Sequence, residues 1–330
     1  MKHGALFLIA IAVTAMSAVA KADDAPLVLE AKIPLGAVSG RIDHFAVDLA
    51  HRRLFVAELG NNSVGAIDLA SGTVAHRLTG LAEPQGLGYF APTDTLFVAN
   101  GGDGSLRLYR GDDLSPAGRV ALGKDADNVR IDPTAPRVWV GYGDGALAAL
   151  DAASGKKLMD IPLKAHPESF RFDAAAGRIF VNVPDAHQIA IVDPAAGRQI
   201  GMIAPAGVQA NFPMALDAQA GRILSVFRSP PRLIAVDTAS GKLAATFEVC
   251  GDADDIFVDA KRRRIYISCG AGAIDVLAPR GNGYERVAHI STVSGARTSL
   301  FVPELDRLYV AVRASLFGEP AAVWVFRPTP

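Results

Sequence analysis

A short strand-like motif recurs seven times along the chain at nearly constant spacing. It consists of an aromatic or aliphatic residue, usually Val or Ile next, then a small residue and a variable one; the first copy is Phe55-Val56-Ala57-Glu58. Successive copies begin 41 to 44 residues apart, at Phe55, Phe97, Trp139, Phe180, Leu224, Tyr266 and Tyr309. Self-similarity at such a period is typical of architectures in which each repeat is one supersecondary unit.

Three further strands accompany each copy of the motif. One precedes it, as in Phe45-Ala46-Val47-Asp48, and one follows it and ends in a turn such as Asp151-Ala152-Ala153-Ser154-Gly155, after which a fourth strand begins. Asp bonds its own backbone two residues on, and Gly accepts a positive φ, so these turns are tight. Four antiparallel strands per repeat make a propeller blade. The sequence therefore predicts an all-β fold, a seven-bladed β-propeller forming one domain over residues 23–330.

The two ends of the predicted domain complement each other. The last repeat supplies three strands and stops at Val323-Trp324-Val325-Phe326, while an orphan strand, Leu27 to Pro34, precedes the first repeat. An unpaired strand edge invites aggregation. We therefore expect the orphan strand to become the outer strand of the last blade and to close the ring.

The first 22 residues are typical of a removable export signal. Lys2 and His3 precede an apolar stretch over residues 5–13, and small residues allow cleavage after Ala20 or Ala22. No later apolar stretch is long enough to span a bilayer. A formal net charge of −1, with 20% charged residues, gives no general attraction to nucleic acid or acidic lipid. We therefore expect an exported monomer that binds neither nucleic acid nor an acidic membrane surface.

The copy Phe97-Val98-Ala99-Asn100 and its six counterparts resemble the YVTN repeat, and the chain resembles periplasmic YncE-like propellers over all seven blades. The closing Asn of that repeat stands only at Asn100. The resemblance implies a seven-bladed fold and a periplasmic location. Such propellers include binding proteins, surface-layer proteins and metallochaperones, and lactonases and cofactor-carrying redox subunits share the architecture. A shared fold does not transfer a function.

Polar residues just before the innermost strands are expected to converge at one mouth of the central channel. Aligning the repeats gives one ring of Asp43, Gln85, Asp127, Glu168, Phe212, Asp254 and Thr298. The next ring is His44, Gly86, Asn128, Ser169, Pro213, Asp255 and Ser299. Just upstream are Arg41, Glu83, Asp125, His166, Asn211, Asp252 and Arg297. The predicted ligand-binding residues are Asp43, His44, Gln85, Asp127, Asn128, His166, Glu168, Asn211, Asp254, Asp255 and Arg297.

Two interpretations of this mouth stay open: satisfied strand-end polar groups, or a concave ligand site. The first functional hypothesis is a non-enzymatic protein that binds a small molecule, a metal ion or a protein partner. The alternative is a metal-assisted lactonase or lyase, with a divalent ion as cofactor and His44, His166, Asp43 and Asp254 as candidate ligands. An interaction scaffold on the outer face is a third hypothesis. With no Gly-x-Ser-x-Gly or phosphate-binding motif, no residue is assigned as catalytic.

Two local features complete the predictions. Cys250 and Cys269 lie at the same end of a predicted hairpin, and two cysteines in an exported protein usually pair. By closing the loop between them, a disulfide here would stabilise the fold by about 3 kcal/mol through the chain entropy of the unfolded state.

The run Lys261-Arg262-Arg263-Arg264 lies on a predicted turn at the face opposite the mouth, where we expect it to be solvated.

Overall fold

The computed structural model describes residues 25–315 and 320–330. The described residues form 28 β-strands in seven four-stranded antiparallel sheets, arranged as the blades of a ring. The prediction of an all-β, seven-bladed propeller is confirmed. The predicted export signal, residues 1–22, lies outside the described residues. Among the helices described, none has the length and apolar character needed to cross a membrane.

Each of the first six blades is four consecutive strands. Blade one is β2 (Phe45–Asp48), β3 (Arg53–Glu58), β4 (Ser63–Asp68) and β5 (Thr73–Leu78). Blade two is β6 (Pro84–Phe90), β7 (Thr95–Asn100), β8 (Ser105–Arg110) and β9 (Pro116–Ala121). Blade three is β10 (Val129–Ile131), β11 (Arg137–Tyr142), β12 (Ala146–Asp151) and β13 (Lys157–Pro162).

The second half of the ring repeats this order. Blade four is β14 (Phe170–Asp173), β15 (Arg178–Val183), β16 (Gln188–Asp193) and β17 (Arg198–Ile203). Blade five is β18 (Gln209–Asp217), β19 (Arg222–Ser229), β20 (Pro231–Asp237) and β21 (Leu243–Glu248). Blade six is β22 (Ala253–Asp259), β23 (Arg264–Cys269), β24 (Ala273–Arg280) and β25 (Gly283–Ser291). Blade seven is β26 (Ser299–Val302), β27 (Arg307–Val312) and β28 (Ala322–Pro328), with β1 (Leu27–Pro34) outermost.

The recurring motif forms the second strand of each blade, which is buried on both faces. Phe55, Val56 and Ala57 in β3 have no exposed surface. Neighbouring blades cover both faces of these strands, which explains continuous apolar runs instead of an alternating pattern. The outermost strand β5, by contrast, is largely exposed. The core therefore lies between blades and leaves the strand ends to line the channel mouth.

The Asp-containing turns form as the sequence predicts. Asp68 Oδ1 accepts a hydrogen bond from the amide of Ala70 at 2.6 Å. Asp151 Oδ1 accepts one from the amide of Ser154 at 2.8 Å. Each carboxylate thus satisfies turn amides that would otherwise lack a partner, and this fixes where one strand ends and the next begins.

The ring closes where the sequence predicts. β1 pairs antiparallel with β28, from Leu27 opposite Pro328 to Pro34 opposite Ala322. The ammonium of Lys32 lies 4.2 Å from the ring of Trp324 across this pairing. We call the pairing of β1 with β28 the seam. It gives the last blade its fourth strand and covers the edge of β28.

The expectation that residues 261–264 are solvated holds for Lys261 and Arg263, which are exposed, but is wrong for Arg262 and Arg264. Arg262 forms ion pairs with Asp259 at 3.0 Å and Asp306 at 2.6 Å, and its Nε donates to the carbonyl of Thr329 at 2.8 Å. Arg264 Nη1 also donates to the Thr329 carbonyl, at 2.6 Å. Both arginines therefore fasten the seam to blade six. The charge run alone could not show this, because the chain ends reach it only after the ring has closed.

The predicted disulfide is present. Cys250 and Cys269 are bonded, with their Cα atoms 5.8 Å apart. The backbone amide of Cys250 also donates to Asp275 Oδ2 at 2.8 Å. The bridge therefore ties the segment that enters blade six, next to Asp252 and Asp254, to the end of β23.

Replacing both cysteines by alanine should lower the free energy of unfolding by about 3 kcal/mol, because the bridge closes a 19-residue loop in the unfolded chain. Urea unfolding of the double variant and of the unchanged protein, each with and without reductant, measures this. Reductant should destabilise the unchanged protein and leave the variant unaffected. Equal midpoints for all four samples would contradict the prediction.

Candidate functional site

The backbone places the predicted acids at one level of the channel mouth. The amides of Asp43, Asp127 and Glu168 donate to the second strand of their own blades at 2.7 to 2.9 Å, in equivalent positions. Asp43 interacts electrostatically with Asp127 and Asp254. Glu168 interacts with the same two residues. The structure therefore brings four predicted carboxylates, from blades one, three, four and six, into one electrostatic cluster.

The predicted alignment of blade seven is wrong by one residue. The amide of Ala311 donates to the carbonyl of Thr298, just as the amide of Ala57 donates to the carbonyl of His44. Thr298 is therefore the counterpart of His44, and Arg297 occupies the position that Asp43 takes in blade one. A shift of one residue exchanges the two faces of a strand. The seventh member of the acidic ring is thus a guanidinium.

Three other predicted residues have local partners. The Asn211 amide nitrogen donates to Asn182 Oδ1 at 2.9 Å and to the Gln188 carbonyl at 3.0 Å, and Asn211 has no exposed surface. It lies between blades four and five, so its predicted place in the mouth is wrong. Gln85 donates to Asp125 at 2.9 Å at the rim. Asn128 accepts from Arg130 at 3.0 Å.

Arginines already neutralise two of the predicted metal ligands. Arg41 lies 2.6 Å from Asp43. Asp254 forms an ion pair with Arg228 and lies 3.3 Å from Arg297 Nε. A carboxylate that is paired with guanidinium groups has less capacity for a cation. The remaining candidate ligands for a cation lie on the side of the mouth formed by blades three and four.

Asp127, His166 and Glu168 converge on that side. One ligand atom from each lies within 4.8 Å of the other two. Asp127 is 8% exposed, and its Oδ1 has no hydrogen-bond partner. His166 Nδ1 lies 2.7 Å from the carbonyl of Gly143, while Nε2 lies 4.0 Å from Asp127 Oδ2. A metal-binding histidine usually donates its second ring nitrogen to such a carbonyl, which fixes the ring.

The protonation of these three groups is coupled. Burial and the charge of Asp127 raise the pKa of Glu168 to about 8. Burial alone would lower the pKa of His166, but the nearby Asp127 carboxylate and the hydrogen bond with the Gly143 carbonyl raise it to about 9. Burial alone would raise the pKa of Asp127, but the interactions with His166 and His44 outweigh burial and lower that pKa. Asp127 and His166 thus form an ion pair beside Glu168, whose raised pKa favours its neutral form.

The neighbouring blade is packed closely against this cluster. A Cβ at Gly86 would lie 2.1 Å from the Asp127 carbonyl oxygen, so a larger residue there would displace the backbone of one blade. Glycine at this ring position therefore lets blade two support Asp127.

The channel below the ring contains two residues that the sequence analysis missed. Arg130 and Arg171 line a cavity of about 380 Å³ together with His44 and Asp255. Each follows the first buried residue of its innermost strand, where blades one and two have Ala46 and Gly88. The available signal was two arginines at a position that is uncharged in the other five blades, which carry Ala46, Gly88, Ala215, Phe257 and Leu300.

A second group of potential ligands lies at the other end of blades one and two. Ligand atoms of Asp48, His51 and Asp94 also lie within 4.8 Å of one another. However, Arg53 Nη2 lies 2.6 Å from Asp48 and 3.5 Å from Asp94. The guanidinium already supplies the positive charge there, so this group is an ion-pair cluster of the turn.

No protein-family model matches the chain, and no curated protein matches it in sequence. Among solved structures, hydrazine synthase from Kuenenia stuttgartiensis is 15% identical, with a TM-score of 0.75 over 87% of this chain and 97% of that chain. The WD40 repeats of RRP9 are 8% identical, with a TM-score of 0.76 over 92% of this chain and 98% of that chain. These likenesses support the propeller fold and nothing finer.

Proposed function

We propose that this chain is an exported, periplasmic binding protein of the YncE-like, YVTN-repeat type, with residues 23–330 as its single domain. Its channel mouth binds a ligand through a divalent cation held by Asp127, His166 and Glu168. The observation that carries this is the convergence of these side chains around the unpartnered Asp127 Oδ1. The export pattern in residues 1–22 and the Cys250–Cys269 disulfide support the compartment, since disulfides persist in oxidising environments.

The ligand set indicates the class of cation. One imidazole nitrogen and two carboxylate oxygens suit a borderline ion such as Zn²⁺ or Mn²⁺ better than Ca²⁺, which prefers oxygen alone. The fixed His166 ring presents Nε2 toward Asp127. A cation would also offset the repulsion between Asp127 and Glu168 that favours the neutral form of Glu168. Three protein ligands leave further positions on the ion for an exogenous ligand.

Titration calorimetry of metal-stripped protein with Zn²⁺ and Mn²⁺ tests this proposal. We expect one cation per chain, and Glu168→Gln should weaken binding at least about tenfold, as loss of even an outer partner of a metal ligand does. Glu83→Gln removes an exposed acid from the same rim and is the matched control. Asp43→Asn should change the affinity little, because Arg41 already pairs with Asp43. Absence of stoichiometric binding, or equal losses in the Glu83 and Glu168 variants, would overturn the proposal.

One observation favours the lactonase or lyase alternative. His44 Nε2 lies 3.8 Å from Asp43 and Nδ1 lies 3.9 Å from Asp255, and His44 interacts electrostatically with Asp127. An imidazole held between carboxylates can transfer protons next to a bound cation. Turnover of a lactone by the cation-loaded protein, lost in His44→Gln with cation affinity retained, would establish the alternative over simple binding.

A further inference from the structure

We propose that the channel below the acidic ring binds a small organic acid, whose carboxylate lies between Arg130 and Arg171. Both side chains line the same cavity, from neighbouring innermost strands. This site is separate from the cation site proposed above and does not depend on it, since none of Asp127, His166 and Glu168 lines the cavity.

Both guanidinium groups are held in place by neutral acceptors. Arg130 donates to the Val129 carbonyl at 2.9 Å and to Asn128 Oδ1 at 3.0 Å. Arg171 Nη1 donates to the Phe170 carbonyl at 2.8 Å and to Ser169 Oγ at 3.1 Å. Each side chain therefore folds back along its own strand in the same way. An arginine carries five N–H donors, so both keep donors for a ligand.

The charge in this part of the channel is out of balance. Over residues 25–315 and 320–330, neither guanidinium has a carboxylate oxygen within 4.0 Å. Burial, followed by the charge of Arg130, lowers the pKa of Arg171 to about 9. The other titratable groups that line the cavity are His44, Tyr89 and Asp255, and burial raises the pKa of Asp255 to about 7. Asp255 interacts electrostatically with both arginines and Asp127 with Arg130, but neither carboxylate forms a close ion pair with them. Two adjacent cations without a full counter-charge favour an anion, and the planar guanidinium fork matches a carboxylate.

The rest of the cavity indicates what the carboxylate is attached to. Val47, Phe257 and Leu300 give the wall an apolar part, and Tyr89 and Ser299 also line it. The volume of about 380 Å³ is within the range of small-molecule sites. An anion without an apolar part would leave these side chains in contact with water. The chemistry therefore fits a carboxylate on a short hydrocarbon body.

Calorimetric titration with hexanoate, and with hexanamide as its neutral counterpart of the same shape, tests the site. We expect hexanoate to bind at millimolar concentration or below, and hexanamide to bind at least about tenfold more weakly, because charged hydrogen bonds are lost. Arg130→Gln and Arg171→Gln should each weaken hexanoate binding by a similar factor. Arg119→Gln, on the outer strand β9, is the matched control and should bind hexanoate normally.

The outcomes separate the two proposals. Zn²⁺ affinity should be retained in Arg171→Gln, and hexanoate affinity should be retained in Glu168→Gln. Equal binding of hexanoate and hexanamide to the unchanged protein would overturn the carboxylate site without any variant. So would unchanged hexanoate binding in the Arg130 and Arg171 variants. If a glutamine variant does not fold, Arg171→Lys keeps the charge but loses the fork, and should weaken hexanoate binding while preserving the preference over hexanamide.

Discussion

Replacing Asp255 by Asn should raise the free energy of unfolding by up to about 4 kcal/mol near pH 8 and change it little near pH 4. Asp255 is 5% exposed, and its Oδ2 accepts a hydrogen bond from the Ser299 amide at 2.7 Å. Burial raises its pKa from 3.8 to about 7. Asn keeps an oxygen for the Ser299 amide and cannot ionise, so it resembles the protonated acid.

The pH window follows from the direction of this shift. Between about pH 4 and pH 7 the unfolded chain has lost the Asp255 proton while the folded chain retains it, so stability falls as pH rises. Above about pH 7 both states are ionised and the full penalty remains. The Asn variant lacks this contribution. Its advantage over the unchanged protein should therefore appear across the same window and then stay constant.

Urea unfolding from about pH 4 to pH 8 measures the effect. Asp185→Asn, which removes an exposed acid on a turn of blade four, is the matched control and should track the unchanged protein. A constant difference between the Asp255 variant and the unchanged protein at all pH values would contradict the prediction. Destabilisation of the variant near pH 8 would contradict it more strongly.

The fold was predictable because its signals are local and repeated. Each Asp turn sets the end of a strand through its own side chain, as Asp68 and Asp151 do. Seven copies of the buried strand then set the number of blades. Ring closure followed from one orphan strand before the first repeat and one missing strand in the last repeat, without knowledge of any side-chain contact.

The site was only partly predictable, because residue position depends on strand register. Ser299 stands where other blades carry an apolar residue, so the start of β26 was placed one residue late and Thr298 was assigned to the wrong ring. In blade five the register shifts between Asn211 and Met214, and Asn211 lies among buried amides. A register irregularity of this kind leaves no clear mark in a repeat alignment.

The channel arginines and the seam depended on contacts that exist only in the closed ring. In the sequence, Arg130 and Arg171 resemble the solvent-facing residues of strands in which apolar and polar positions alternate. Only in the closed ring do the innermost strands face one another and bring both side chains to the same cavity. Arg262 similarly resembled a solvated turn residue. Its partners Asp306 and Thr329 are 44 and 67 residues away along the chain.

Arg262 is the residue at the seam whose loss should be most damaging. Its side chain is 10% exposed, and it lies between Asp259, which is 2% exposed, and Asp306. The hydrogen bond from Arg262 lowers the pKa of Asp306 to about 2. A depressed pKa means that this interaction stabilises the fold above about pH 4 and is lost as the pH falls toward 2.

Arg262→Ala should therefore lower the free energy of unfolding at neutral pH by about 4 kcal/mol, since it leaves a buried Asp259 carboxylate and the Thr329 carbonyl without this partner. Lys261→Ala is the matched control: Lys261 also contacts Asp306, but its side chain is 72% exposed, and its loss should change stability by no more than about 0.5 kcal/mol. Urea unfolding of both variants measures the difference, and hydrogen exchange should locate it, with β1 and β28 losing protection first. Equal stability of the two variants would show that the seam does not depend on the buried ion pair.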